Sequence, residues 1–142
     1  MQPKNPDYET ETRRVFDQAP FIRLLGAELL EFSPGFCRTR IVLNENHKQQ
    51  DGFVHAGVQA TLADHSCGTA AATLIAANQR VLTADFSVNL LRPASGLILE
   101  CEARVIKAGN MLSVAEGEIY TVDKVRKLVA KATVTLALVN LE

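Results

Sequence analysis

Asp64 is the only charged side chain on one face of a long predicted helix. The residues at helical spacing around it are small and would let a neighbouring backbone or a ligand approach closely. A carboxylate in such a setting costs free energy to bury unless it has a partner or a chemical purpose. Asp64 is therefore the first candidate for a general base or a nucleophile. The other members of this face are Gly57, Ala60, Thr61, Gly68 and Ala71.

The start of the same helix offers a second kind of chemistry. A polar, turn-rich loop over residues 44–53 leads to His55, and the helix is predicted to begin at Ala56. The first amides of a helix lack intrahelical acceptors and can stabilise an anionic oxygen. Ala56 and Gly57 hold these positions, and the glycine is expected to leave its amide open to a ligand.

Three stretches together resemble the hotdog-fold acyl-CoA thioesterases, and most closely their phenylacetate-pathway type. The first is residues 52–57, Gly-Phe-Val-His-Ala-Gly, followed by Asp64 nine positions after the histidine. The second is residues 83–96, which include Leu-Leu-Arg-Pro-Ala and end in glycine. The third is residues 20–26, Pro-Phe-Ile-Arg-Leu-Leu-Gly, and the likeness covers residues 15–140.

The resemblance implies a role for each matching residue of the first stretch. Asp64 would be the catalytic carboxylate, acting as general base on water or as nucleophile. The amide of Ala56, with Gly57 beside it, would stabilise the oxyanion formed when the thioester carbonyl is attacked. His55 would orient the loop or contact the substrate. Alanine replaces the family's usual glycine at position 56, so a narrower site is expected.

Five further residues are predicted to complete the site. Gln49 stands where the family often has an asparagine that hydrogen-bonds the catalytic water or the thioester. Gln50 would exchange with it after a one-residue shift of the loop. Thr83 falls on a Ser/Thr position near the carboxylate. Asn89 and Arg92 are predicted to bind substrate, the arginine through a phosphate of coenzyme A.

Purely structural roles are the alternatives for the same residues. Asp64 could cap or pair within the core, His55 could anchor the loop, and Thr83 could be a β-branched strand residue. Arg92 could mark a solvated strand end. No metal site or other cofactor is predicted, because the His and Asp spacings match no trusted ligand pattern. A phosphate-binding Gly-rich loop and a Gly-x-Ser-x-Gly elbow are both missing from the sequence.

One long helix and a mainly antiparallel sheet are predicted to position these residues. The helix should run from Ala56 to Ala77, about 33 Å at 1.5 Å per residue. Shorter helices are expected over Tyr8–Gln18 and Pro20–Leu25, after a loose arm of seven residues. Short connections between the last four strands favour antiparallel neighbours. The strands are predicted at residues 27–32, 36–43, 80–92, 97–108, 111–122 and 126–140. The resemblance adds that this α+β arrangement is a hotdog fold, with a curved sheet wrapped around the helix.

Composition limits the remaining possibilities. The 142 residues fit a single domain with enough chain for a core, and the net charge of −1 provides no basic field for nucleic acid. No apolar run is long enough to span a membrane, and the first twenty residues lack the apolar segment of a signal peptide. Three cysteines fit reduced, buried thiols, so a cytoplasmic protein is expected.

The sequence therefore predicts an acyl-CoA thioesterase that releases a free acid and coenzyme A. The resemblance implies a homodimer or homotetramer in which Asp64 of one subunit faces the His55-Ala56 segment of another. Two alternatives remain: an acyl-CoA-binding hotdog protein without activity, and a hotdog enoyl-CoA hydratase. The adjacent Asp64 and His65 point to different helical faces, which fits a hydratase poorly.

Overall fold

The computed structural model describes residues 1–142 and contains three α-helices and six β-strands. The helices are α1 (Tyr8–Asp17), α2 (Pro20–Leu25) and α3 (Ala56–Ala72), with a 3₁₀ turn at Glu45–His47. The strands are β1 (Ala27–Ser33), β2 (Phe36–Val42), β3 (Gln79–Leu90), β4 (Ile98–Ala108), β5 (Leu112–Val122) and β6 (Arg126–Asn140). All predicted strands are present, and Gly26 ends α2 in the left-handed conformation, with a φ of 75°.

The six strands form one antiparallel sheet in the order β1-β2-β4-β5-β6-β3. This order corrects one expectation, because β3 and β4 follow each other through a short turn but are not neighbours. β3 pairs with β6 instead, from Gln79 opposite Asn140 to Leu90 opposite Ala130. The chain therefore places β1 and β3 at the two free edges of the sheet. The predicted hotdog fold is confirmed, with α3 packed against the curved sheet.

α3 is shorter than the sequence predicts, ending at Ala72 rather than Ala77. The hydroxyl of Thr73 donates to the carbonyl of Ala70 at 2.6 Å and accepts from the amide of Gly35 at 2.7 Å. These bonds tie the C-terminal end of α3 to the β1–β2 turn. Leu74 and Ile75 are buried although they lie beyond the helix. The apolar character of these two residues therefore reflects their burial, and it does not indicate further helical turns.

Small residues let α3 lie close to the sheet. A Cβ atom at Gly117 of β5 would stand 3.3 Å from the Cys67 sulfur and 3.4 Å from the Cys101 sulfur. Ala103, Ala130 and Ala132 line the same interface and are buried. The thiols of Cys37, Cys67 and Cys101 are free and buried, and burial raises the pKa of Cys101 to about 12. Small residues and protonated thiols therefore fill the contact between α3 and the sheet.

The first seven residues form no helix or strand, yet Asn5 is buried. Its side-chain carbonyl accepts from the amide of Asp7 at 3.0 Å, just before α1 begins. α1 lies against α3, where the ring of Phe16 meets that of His65 at a centroid distance of 4.8 Å. None of the helices combines the length and the apolar character that a bilayer span requires.

Candidate active site

Asp64 and Thr83 meet between α3 and the edge strand β3. The Thr83 hydroxyl donates a hydrogen bond of 2.6 Å to Oδ1 of Asp64. The other carboxylate oxygen, Oδ2, has no hydrogen-bond partner within the chain. Asp64 is half-buried, so one oxygen is held in place while the other can approach a ligand. The predicted proximity of Thr83 to the carboxylate is present in the structure.

A β-bulge in β3 sets which side chains face α3. Thr83 pairs with Leu136, but the next paired residue is Asp85, opposite Thr135, so Ala84 is an extra residue. Thr83 faces the helix before the bulge, whereas Phe86 and Val88 face it afterwards. A strand with uninterrupted alternation would have directed Asp85 toward α3 instead of Phe86. The bulge therefore places an aromatic ring, and not a second carboxylate, beside Asp64.

Two cavities border Asp64 on opposite sides. The larger one, of about 310 Å³, lies under α2 and is lined by Phe21, Ile22, Thr61 and Phe86 as well as by Asp64. The smaller one, of about 200 Å³, lies toward α1 and β6 and includes Thr83 and Gly68. The first cavity has mainly apolar walls with the carboxylate at one side. Such a cavity suits an apolar group attached to a carbonyl that Asp64 can reach.

His65 borders the same two cavities but is held in the protein interior. Burial lowers its pKa below 6.5, while a backbone hydrogen bond with Phe16 and the charge of Asp64 act in the opposite direction. Its Nε2 atom is buried without a hydrogen-bond partner. The ring is therefore favoured in its neutral form, packed against Phe16.

His55 caps the N-terminal end of α3. Its Nδ1 accepts a hydrogen bond of 2.8 Å from the amide of Gly57. The expectation that the Gly57 amide is open to a ligand is therefore wrong, because the histidine occupies it. A Cβ at position 57 would stand 3.0 Å from the same Nδ1 atom, so a side chain there would have to displace the His55 ring by a few tenths of an ångström.

The amide of Ala56 is the open donor at this helix end. It precedes the first intrahelical bonds, in which Val58 and Gln59 donate to the His55 carbonyl, and it makes no hydrogen bond within the chain. Ala56 itself is exposed. The helix dipole adds a partial positive charge at this point. Of the two amides predicted to stabilise an oxyanion, the Ala56 amide alone is available.

The loop before α3 is held by its own polar side chains. The side-chain carbonyl of Gln49 accepts from the amides of Asp51 at 2.5 Å and Phe53 at 3.4 Å. Gln50 is exposed and donates to Asp51 at 3.1 Å. His47, buried beneath the loop, bonds the Leu25 carbonyl at 2.8 Å. The oxygen of Gln49 thus shapes the loop, and only its amide nitrogen is left without a partner.

A third cavity, of about 380 Å³, opens beside the helix start. Ala56 and Gln59 of α3 form one wall, and Phe53, Leu90 and Arg92 are among the residues on the other sides. The amide of Val54 donates to the Ala94 carbonyl at 2.9 Å, which fastens the segment after β3 against the loop. Arg92 forms no ion pair within the chain, so its guanidinium is available to an anion.

Asn89 lies away from these groups. It follows Val88, which packs against the core, and it stands opposite Lys131 of β6. Lys131 forms an ion pair with Glu116 at 3.4 Å on the outer face of the sheet. Asn89 borders none of the three cavities. The structure therefore does not bring it together with Asp64 or Ala56.

Asp64 and the Ala56 amide are also separated within one chain. They are eight residues apart on the same helix, which is about 12 Å along its axis. A thioester carbonyl is far smaller than this distance. One copy of the chain therefore keeps the carboxylate and the open amide too far apart to act together on one carbonyl.

Comparison with known proteins identifies the fold and the chemistry. The sequence profile described as "Thioesterase superfamily" matches residues 51–127, a segment that contains the helix start, Asp64 and Thr83. The chain belongs to the thioesterase superfamily. The sequence-based assignment as a thioester hydrolase is confirmed by this membership.

Individual relatives agree with the assignment. A Halobacterium salinarum protein assigned as an esterase is 36% identical, over 74% of this chain and 72% of its own length. The 1,4-dihydroxy-2-naphthoyl-CoA hydrolase of Listeria monocytogenes is 26% identical, over 80% of this chain and 90% of its own. A crystal structure of a thioesterase family protein from Silicibacter pomeroyi superposes with a TM-score of 0.91 at 34% identity, covering 94% and 98% of the two chains.

Sequence reasoning missed three residues that line the cavities. Phe21 and Phe86 border the cavity beside Asp64, and the bulge that directs Phe86 inward has no clear sequence signal. Gln59 is buried beside Ala56. A polar residue among Val58, Leu62 and Ala63 in the first turns of α3 was a visible signal for it.

Proposed function

We propose that the protein is an acyl-CoA thioesterase whose active sites form between two copies of the chain. In each site, Asp64 and Thr83 of one subunit face His55 and Ala56 of the other. The observation that carries this proposal is the separation of about 12 Å between the carboxylate and the open amide on one helix. When a two-fold axis relates two copies of the chain, the carboxylate of each copy can meet the open amide of the other. One dimer then contains two complete sites.

The chemistry follows from the groups that meet. The Ala56 amide stabilises the oxyanion, and a helix-end donor commonly contributes a factor of about 10²–10³ in rate. Asp64 either removes a proton from an attacking water or attacks the carbonyl itself. Thr83 holds one carboxylate oxygen, so that the free oxygen points toward the reacting carbon. His55 fixes the first turn of α3 and thereby the direction of the Ala56 amide.

The cavities divide the substrate between the two subunits. The apolar cavity lined by Phe21, Ile22 and Phe86 takes the acyl group next to Asp64. The cavity beside Ala56 takes the thiol portion, and Arg92 at its edge meets a phosphate of coenzyme A. The two aromatic rings favour an aryl or a medium-length acyl group of the kind that phenylacetate-pathway thioesterases release.

Mixing two inactive variants tests the shared site. Asp64→Asn removes the carboxylate, and Ala56→Pro removes the amide hydrogen at the first helical position, where proline is tolerated. The extended backbone of His55, with a ψ of 137°, suits a following proline. Each variant alone should be inactive against acyl-CoA esters of graded length.

Subunit exchange should restore activity to about a quarter of the wild-type rate, because half of randomly mixed dimers carry one intact site of two. Activity is measured as release of free coenzyme A thiol. A mixture that stays inactive, although mass spectrometry shows mixed dimers, would contradict the shared site. Wild-type protein that releases no thiol from any ester, but hydrates an enoyl ester, would contradict the reaction.

A further inference from the structure

The cavity of about 200 Å³ on the α1 side of Asp64 offers mainly alkyl surface to a ligand. Two hydroxyls line it, but both donate to groups of the chain itself. The Thr83 hydroxyl donates to Asp64 at 2.6 Å, and the Thr69 hydroxyl donates to the His65 carbonyl at 2.8 Å. An apolar segment of a ligand therefore suits this cavity. Aliphatic side chains from α1, β3 and β6 line it as well: Val15, Val81 and Leu136.

Gly68 keeps this cavity open beside Asp64. It lies four residues after Asp64 in α3, so the two positions are neighbours on one face, about 5–6 Å apart at their Cβ atoms. Gly68 is half-buried, and a Cβ atom there would stand at an ordinary contact distance of 3.9 Å from Cδ2 of Leu136. Its φ is not positive, and glycine inside a helix is less stable than alanine. Neither the backbone nor the packing within the chain requires this glycine, so what it provides is space.

The spacing from Asp64 to Gly68 sets which acyl groups reach this space. One helical turn is about 5.4 Å along the axis, a length that roughly four bonds of an extended alkyl chain cover. A chain that starts at a carbonyl beside Asp64 and runs along α3 therefore passes Gly68 at about its fifth carbon. A butanoyl group ends before Gly68, whereas an octanoyl group continues beyond it.

We infer that Gly68 is a specificity-determining residue, which admits the far carbons of straight acyl chains to the cavity between α1, α3 and β3. This inference rests on the proposed function, because it places the reacting carbonyl at Asp64. An aryl group stays in the cavity with Phe21 and Phe86, while the far end of a straight chain continues past Gly68. One carboxylate then serves two shapes of acyl group.

Gly68→Ala tests the inference, because it adds a single methyl group to the wall of the cavity. We would measure kcat/KM for butanoyl-CoA, octanoyl-CoA and phenylacetyl-CoA with the wild type and the variant. The octanoyl-to-butanoyl ratio should fall about 10-fold, the effect of one such group in a hydrophobic pocket. The phenylacetyl-to-butanoyl ratio should stay at its wild-type value. The melting temperature should stay equal or rise, since alanine is the better helix former.

Val81→Ala is the matched change in the opposite direction. It removes two methyl groups from the β3 side of the same cavity, so the octanoyl-to-butanoyl ratio should rise. Combined with Gly68→Ala, it should return the ratio toward the wild-type value, which a general loss of stability would not do. Val81→Ala alone decides the question if Gly68→Ala does not fold. Light scattering on each variant reports the oligomeric state.

The outcomes separate the inference from the proposed function. An octanoyl-to-butanoyl ratio that folded Gly68→Ala leaves unchanged would overturn the role of Gly68, as would equal losses for octanoyl and phenylacetyl esters. Dissociation of Gly68→Ala into monomers would assign the glycine to a contact between subunits and would also overturn it. Wild-type protein that hydrolyses phenylacetyl-CoA but not octanoyl-CoA would overturn the inference and leave thioester hydrolysis intact. Failure to hydrolyse any acyl-CoA would overturn the proposed function, and with it the inference.

Discussion

The two edges of the sheet differ in length, charge and exposure. β1 has seven residues, and its Glu28 and Glu31 form ion pairs with Arg40 and Arg38 of β2. β3 has twelve residues and exposes Leu82, Phe86 and Leu90, with exposed fractions of 58%, 46% and 51%. Charges and short length are common ways of blocking further strand pairing at an edge. β1 has both features, whereas β3 is longer and carries one exposed carboxylate, Asp85, among these apolar side chains.

This difference favours β3 over β1 as the edge for the dimer that we propose. A long edge with exposed leucine and phenylalanine side chains resembles an interface that has been left uncovered. The same strand carries Thr83 and, through its bulge, directs Phe86 toward Asp64. We expect assembly along β3 to complete the active site, whereas β1 should remain a solvent-facing edge.

Removal of the carboxylate beside β3 should have the largest effect. Asp64→Asn keeps the shape and the acceptor for Thr83 but cannot act as a base, so kcat should fall by about 10²–10⁴. Its melting temperature should stay equal or rise, because functional carboxylates often reduce stability. Steady-state kinetics and calorimetry measure both quantities.

Asp85→Asn is the matched control for this substitution. Asp85 is exposed on the other side of the bulge, and its replacement should leave kcat unchanged. Activity of Asp64→Asn within a few-fold of wild type would show that the carboxylate is not catalytic.

A charge on the β3 edge should separate the subunits. Leu82→Glu adds a charge to the strand edge that the second copy is proposed to cover, and edge charges block strand pairing, so the protein should become monomeric at micromolar concentration and lose most of its activity. Light scattering at several concentrations measures the mass. Leu97→Glu is the control, because it changes a leucine of similar exposure, 65%, in the turn before β4. It should change neither the oligomeric state nor the activity. An intact oligomer in Leu82→Glu would place the interface elsewhere.

A smaller effect is expected at the helix start, which belongs to the second subunit in the proposed dimer. Ala56→Gly keeps the amide but removes a methyl group beside the thioester carbonyl, and one such group is worth about 1–3 kcal/mol in a close-packed site. Benzoyl-type esters should gain more in kcat/KM than straight-chain esters of equal carbon number. Equal changes for both would mean that Ala56 does not border the carbonyl.

The smallest effect is expected on the charged edge. Glu28→Gln breaks the ion pair with Arg40, which spans 3.0 Å between exposed side chains. Exposed pairs contribute only about 0–1 kcal/mol, so urea unfolding should change little and the oligomer should persist. A loss of assembly in this variant would reverse the roles given to the two edges.

Local patterns in the sequence were sufficient to predict the secondary-structure elements and part of the candidate site. Six strands and three helices follow from periodicity and turn residues, because these depend on neighbours in the chain. The start of α3 at Ala56 and the place of Asp64 on it are equally local. Thr83 was matched to the carboxylate through the resemblance, and the 2.6 Å bond is present.

Contacts between residues that are distant in the chain determined the strand order, the bulge in β3 and the end of α3. β3 pairs with β6 rather than with β4, its neighbour along the chain, and the bulge at Ala84 exists only in the register of that pairing. The bond from Gly35 to Thr73 links the β1–β2 turn to the end of α3 across 38 positions. No periodicity records these contacts, since each depends on which distant groups the folded chain brings within hydrogen-bond distance.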